Sequence, residues 1–183
     1  MYKIAIIAGH HGALTGARGY FDEGRANIEL RNMVATELRL RGVVPIEENS
    51  DRDTLTAVVS ALRGVMTEYD ICVDLHFNAV SNPQACGTEV IVPNDYSADE
   101  WQVGEKLLVG LCSIMGTKNR GVKREIIAGR EGLRMLTLPC RTMIVEVCFC
   151  TNQRDAEAYQ RTKHDVARHI ADVLIRYARS GKY

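Results

Sequence analysis

Arg141-Thr142-Met143-Ile144-Val145-Glu146-Val147 is the stretch whose reading decides the fold. Its β-branched and apolar residues run on without the polar alternation of a half-exposed strand, so it reads as a strand covered on both faces. Ile4 to Ala8, Val43 to Ile46, Ile71 to Leu75 and Thr88 to Val92 read as further short strands. Between them the apolar period changes to that of a helix. Leu30, Met33, Val34 and Leu38 share a face within Arg25 to Arg41, and Leu55, Val58, Val59, Leu62 and Met66 share another after the polar stretch 49–53. Ser97 and Glu100 form a capping-box signature ahead of Val103, Leu107, Leu111 and Ile114. A closing helix from about Arg154 to Tyr177 places Val166, Ile170, Val173 and Leu174 on one side. Strands alternating with helices predict an α/β fold, with a mostly parallel sheet flanked by helices on both faces.

The length of 183 residues suits one domain, so 1–183 is expected to be a single unit. Hydrophobic residues at 46% and charged residues at 25% exclude disorder, coiled coil and disulfide-dense scaffolds. Lys plus Arg and Asp plus Glu both number 23, so no overall field draws the chain to nucleic acid or anionic lipid. The first residues lack the apolar core and cleavage region of a signal peptide, and no segment approaches a membrane span. Synthesis in the cytoplasm without Sec export is the expectation. Cys72, Cys86, Cys112, Cys140, Cys148 and Cys150 form no CxxC pair and read as reduced thiols, mostly packed in the core. Gly116 to Gly132, carrying Lys118, Arg120, Lys123, Arg124 and Arg130, reads as the one irregular segment, either solvated or facing substrate. Strand-to-helix turns of the GxGxxG or GxxxxGK[ST] type are absent, which disfavours phosphate or nucleotide binding.

Ligands of open α/β sheets bind beyond the carboxyl ends of strands. The first strand runs into Gly9-His10-His11-Gly12, the third into Asp74-Leu75-His76-Phe77-Asn78 and the last contains Glu146, while Glu23 precedes the first long helix. Two imidazoles and one carboxylate form a recognised ligand set for catalytic zinc with an open fourth position, and a second carboxylate can then act as general base and acid. Each residue also has a structural reading. A histidine at a strand end can be a packed core residue, and Glu23 can complement the positive end of its helix. Glu146 resists that reading, because an uncompensated carboxylate in a buried strand costs roughly several kcal/mol. His11, His164 and His169 read as loop and helix residues. Asp74 shares strand parity with His76, so it can orient that imidazole or form a structural ion pair.

The segments Gly9-His10-His11-Gly12, Glu23-Gly24-Arg25-Ala26-Asn27, Leu75-His76-Phe77-Asn78-Ala79, Gly87-Thr88-Glu89 and Val145-Glu146-Val147-Cys148-Phe149-Cys150-Thr151-Asn152 stand in a telling order. That order and spacing resemble zinc-dependent N-acetylmuramoyl-L-alanine amidases, the catalytic domains of bacterial cell-wall amidases and phage endolysins. Asn119-Arg120-Gly121-Val122-Lys123 and Gly132-Leu133-Arg134-Met135-Leu136 add to the likeness, which spans nearly the whole chain.

The resemblance implies a twisted, mostly parallel sheet and one zinc ion per chain held by His10, Glu23 and His76, with Glu146 as catalytic acid/base. Asn27 and Asn78 match supporting positions. The implied reaction is hydrolysis of the amide joining N-acetylmuramic acid to L-alanine of the peptidoglycan stem peptide. Another zinc-dependent peptidase or amidase acting on small peptides, and a non-catalytic wall-binding module, are the competing readings. Three positions depart from the pattern: His11 replaces a frequent Gly, Cys148 another, and Asp74 a small hydroxyl residue. Division amidases of this family carry an inserted inhibitory helix, and Pro93 to Tyr96 leaves no room for it. Activity without an activator, an endolysin-like role and access to the wall after lysis or non-Sec release are therefore expected. With zero net charge, recognition should rest on the peptidoglycan or muropeptide stem rather than on anionic wall polymers, with no nucleic acid partner and the oligomeric state open.

Overall fold

The computed structural model describes residues 2–11, 15–48, 54–68, 70–129 and 132–180. Gly12, the polar stretch 49–53 and Arg130, all named above, lie outside the described residues. In chain order the elements are β1 (Ile4–Ala8), α1 (Glu23–Leu40), α2 (Leu55–Arg63), β2 (Ile71–Asn78), β3 (Thr88–Val92), α3 (Ala98–Met115), β4 (Asn119–Arg124), a 3-10 turn (Arg134–Thr137), β5 (Arg141–Phe149) and α4 (Gln153–Ser180). The sheet order is β1-β2-β5-β3-β4. β1, β2 and β5 run parallel, β3 runs antiparallel to β5, and β4 follows β3 in parallel. Because β3 is reversed, β3 and β4 begin at the edge where β1, β2 and β5 end.

Apolar side chains divide by strand parity into two layers, as the pleat requires. Ile4, Ile6, Val73, Leu75 and Val145 face the helices α1, α3 and α4, where Leu30, Val34, Leu107, Tyr159 and Ile170 complete the main core. Ala5, Ile7 and Cys72 face the opposite way, onto Val58 and Leu62 of α2 and Met135 of the 3-10 turn. The sheet is therefore covered on both faces; β1 is apolar throughout, while β2 turns to polar alternation at Asp74, His76 and Asn78.

The capping box is formed: Ser97 Oγ accepts from the Glu100 N–H at 3.2 Å and Glu100 Oε2 accepts from the Ser97 N–H at 2.7 Å. Glu100 Oε1 also accepts from the Thr142 N–H at 2.9 Å, which ties the start of α3 to the start of β5.

Two expectations are corrected. Val43 to Ile46 does not form a strand; one bridge joins Ile46 to Ala5, with Ile46 donating to the Ile4 carbonyl and accepting from the Ile6 N–H. Pro45 has no N–H to continue a ladder, and Val44 faces solvent. Gly116 to Gly132 is not wholly irregular, because Asn119–Arg124 forms β4 at the sheet edge. Its charged, half-exposed side chains hide the strand from any apolar pattern, and such residues are common where an edge must not pair further.

Candidate metal centre

Three elements deliver the site. The backbone leaves β1 through Gly9 and turns at His10, a non-glycine residue with φ of 51° in the left-handed region. Asp22 caps α1 by accepting from the Arg25 N–H, so Glu23 is the first helical residue rather than one just before the helix. β2 runs on past Leu75 and carries His76 within its regular pairing.

Ligand atoms of His10, Glu23 and His76 all lie within 4.8 Å of one another. His76 Nδ1 and Glu23 Oε1 are 3.2 Å apart. Two donors bound at about 2.0–2.1 Å to one tetrahedral zinc ion would be separated by about 3.4 Å, so this pair fits such an ion. Glu23 is 4% exposed and held by its backbone surroundings: Oε1 accepts from the Phe77 N–H and Oε2 from the Ala17 N–H. The loop between His10 and α1 passes so close that a Cβ at Gly16 would lie 2.8 Å from His10 Cβ, and Gly16 itself has φ of 84°. Asn27, fully buried in α1, donates from Nδ2 to the Gly9 carbonyl at 2.7 Å and braces the same loop from below.

Charge in the cluster suits a cation. Burial alone pushes the Glu23 carboxyl up, but the His76 hydrogen bond, the Ala17 N–H and the two imidazoles outweigh it and hold the group below its ordinary range. Burial likewise pushes His76 down, and Asp74, Glu23 and Glu146 together overcome this and raise it well above its usual value. A divalent ion bound here would place its positive charge among these same carboxylates.

Glu146 is 1% exposed and is the direct register partner of His76 across β2 and β5. It is equally the partner of Glu89 across the antiparallel β3 and β5. Glu89 was not among the expected site residues. Its carboxylate accepts from Asn78 Nδ2 at 2.9 Å, Arg120 Nε at 2.8 Å and Lys123 Nζ at 2.7 Å. Burial raises the Glu89 carboxyl, but Lys123 and Arg120 outweigh it and hold it below the ordinary range. The signal was present: like Glu146, Glu89 is a lone carboxylate inside an apolar strand. Asn78 therefore serves Glu89 and the basic stretch is partly neutralised within the fold.

Neither Cys148 nor Cys150 belongs to the cluster of His10, Glu23 and His76. Past the pair His76↔Glu146 the next register pair is Asn78↔Phe149, so β5 takes three steps where β2 takes two. Alternation shifts across this bulge, and Cys148 and Cys150 pack into the core beside α1 and α4. Burial pushes the Cys148 thiol well up and the Cys150 thiol to about 11. His164 is exposed on α4, and His169 packs on α3, with Nε2 3.1 Å from the Lys106 carbonyl oxygen.

A cavity of about 370 Å³ opens beside His10 and His76, walled by Leu55 and Val58 of α2 and by Leu133 and Met135, with Ile144 beneath. Arg134 stands at this cavity and donates from Nη1 to Thr56 Oγ1 at 2.6 Å. An apolar cleft ending in a polar, cation-holding cluster can bind a substrate body and present one polar bond for attack. Among the described residues no helix is long and apolar enough to cross a membrane.

A family model described as N-acetylmuramoyl-L-alanine amidase matches residues 4–176. An uncharacterized protein of Clostridium perfringens (strain 13 / Type A) is 26% identical over 180 residues, covering 94% of this chain and 51% of that protein. The chain thus spans about half the length of the curated relative it matches. The catalytic domain of CwlV, an N-acetylmuramoyl-L-alanine amidase from Bacillus (Paenibacillus) polymyxa var. colistinus, superposes with a TM-score of 0.80 at 19% identity, covering 97% of this chain and 98% of that one. The catalytic domain of the CD27L endolysin, which targets Clostridia difficile, gives a TM-score of 0.70 at 25% identity, covering 96% and 98%.

Proposed function

The chain belongs to the N-acetylmuramoyl-L-alanine amidase family, and on that footing we propose that it hydrolyses the amide between N-acetylmuramic acid and L-alanine of the peptidoglycan stem peptide. The proposal includes zinc dependence, with His10, Glu23 and His76 as ligands and Glu146 as general base and acid. It treats 1–183 as the catalytic domain. One observation carries it: three donors from three elements meet within 4.8 Å, next to the buried carboxylate that is the register partner of His76.

Zinc bound to these donors would supply Lewis acidity, polarising the amide carbonyl and bringing the pKa of water toward neutrality. Glu146 takes a proton from the attacking water as its oxygen bonds to the carbonyl carbon. The same carboxyl returns that proton to the L-alanine nitrogen as the carbon–nitrogen bond breaks, so the departing group leaves as a neutral amine. The cleft between α2 and the 3-10 turn orients the substrate and excludes water from the apolar side of the reacting bond. Glu89 shares the sheet face with Glu146, and its bonds to Asn78, Arg120 and Lys123 fix the local charge.

The likeness to an endolysin catalytic domain supports action on the cell wall. The short connection from β3 to α3 supports activity without an activator. The deciding experiment is a digest of purified peptidoglycan with the purified, zinc-loaded chain. New amino termini on alanine without new reducing ends, lost on chelation and restored by zinc, are the expected result. New reducing ends, cleavage that needs an added activator, or binding without hydrolysis would each refute a stated part of the proposal.

A further inference from the structure

We propose that Asp74 is a positioning residue for the metal site: its carboxylate takes the Nε2–H of His76 and so commits Nδ1 to the ion. The inference rests on the zinc reading above and adds to it a residue that does not touch the metal.

Asp74 and His76 lie two apart on β2 and share a sheet face, and Asp74 Oδ2 stands 3.1 Å from His76 Nε2. The other ring nitrogen, Nδ1, stands 3.2 Å from Glu23 Oε1. The imidazole is therefore gripped at both ends by carboxylates of opposite position, one in the ligand cluster and one outside it. The backbone closes the Nε2 edge further, because a Cβ at Gly9 would lie only 2.2 Å from Nε2. Gly9 and Asp74 thus stand on the Nε2 side of the ring, and Glu23 on the Nδ1 side.

An imidazole that ligates through one nitrogen carries its proton on the other, and a carboxylate acceptor there fixes the tautomer, orients the ring and strengthens it as a donor. Asp74 is suited to this task and to no other evident one. It is 4% exposed, and among the described residues neither a Lys nor an Arg pairs with it. Its second oxygen, Oδ1, is buried without a hydrogen-bond partner among the described residues. A carboxylate so placed is costly on structural grounds alone. A small hydroxyl, which the family pattern favours here, carries no charge and leaves the tautomer less firmly set.

The test measures zinc affinity of the purified chain and of Asp74→Asn and Asp74→Ser by competition with a chromogenic chelator. Thermal midpoints of the metal-free proteins are recorded alongside. Both variants should hold zinc about 10–100-fold more weakly than the parent, with Asn no better than Ser. In the metal-free parent at alkaline pH, ¹⁵N shifts of His76 should report the proton on Nε2. Variant affinities within twofold of the parent, or a parent His76 protonated on Nδ1, would overturn the inference even where a variant failed to fold. A parent chain that binds no zinc would instead remove the metal reading on which it rests.

Discussion

Glu89 and Glu146 stand directly opposite each other across the antiparallel pair β3 and β5, both buried and on one face of the sheet. Like charges so placed repel. Asn78, Arg120 and Lys123 converge on Glu89, while Glu146 adjoins the imidazole of the candidate metal site.

Replacing Lys123 by Met should destabilise the chain by about 1–3 kcal/mol in urea unfolding, because it strips one counter-charge from a buried carboxylate. The pH dependence has a definite sign. Glu89 is held below its ordinary value of about 4.3, so its contribution is fully present above that pH and is lost as pH falls through the lower folded value. Unfolding curves from pH 6 to about 3 should show this acid loss in the parent and less of it in Glu89→Gln. Equal acid slopes would contradict the assignment.

Glu146→Gln keeps the shape of the side chain and removes its basicity. Hydrolysis of purified peptidoglycan should fall by about 10²–10⁴-fold, while zinc content stays at the parent level. Loss of zinc in this variant would make Glu146 a ligand instead.

Gly9→Ala places a methyl group where the His76 ring now lies, at 2.2 Å from Nε2. The ring must move off its bond to Asp74, and zinc affinity should drop by at least about tenfold. Chelator competition checks it, and parent-like affinity would show that the ring has room that the structure denies.

Cys148→Ser should leave zinc stoichiometry unchanged and cost about 1–2 kcal/mol of stability, since it buries a hydroxyl among apolar side chains. Metal analysis of the purified variant decides it, and a substoichiometric metal content would make the thiol a ligand.

Strand parity and helical period were enough to place most of the fold. Continuous apolar runs located β1, β2, β3 and β5, and Ser97 with Glu100 marked the start of α3. β4 escaped because an edge strand can be held by backbone bonds while its side chains are charged and half exposed. Val43 to Ile46 misled for the converse reason: its side chains suit a strand, and Pro45 denies it the hydrogen bonds. In the site, His10, Glu23 and His76 were legible as residue types at element ends, and the meeting of their donors emerged only in three dimensions. Glu89 was overlooked although the argument that singled out Glu146 applies to it equally. Its partners Arg120 and Lys123 come from the one strand that periodicity did not show.

The reversal of β3 brings the chain that enters β3 and β4 to the edge of the sheet where β1 and β2 deliver the candidate ligands. There Pro83, Gln84 and Cys86, with Gly116 to Lys118, line a second cavity beside Asn152 and Asp155 rather than the cleft beside His10. Two hollows thus share one edge of the sheet with separate walls, and a substitution in either segment reshapes the second without altering the lining of the first.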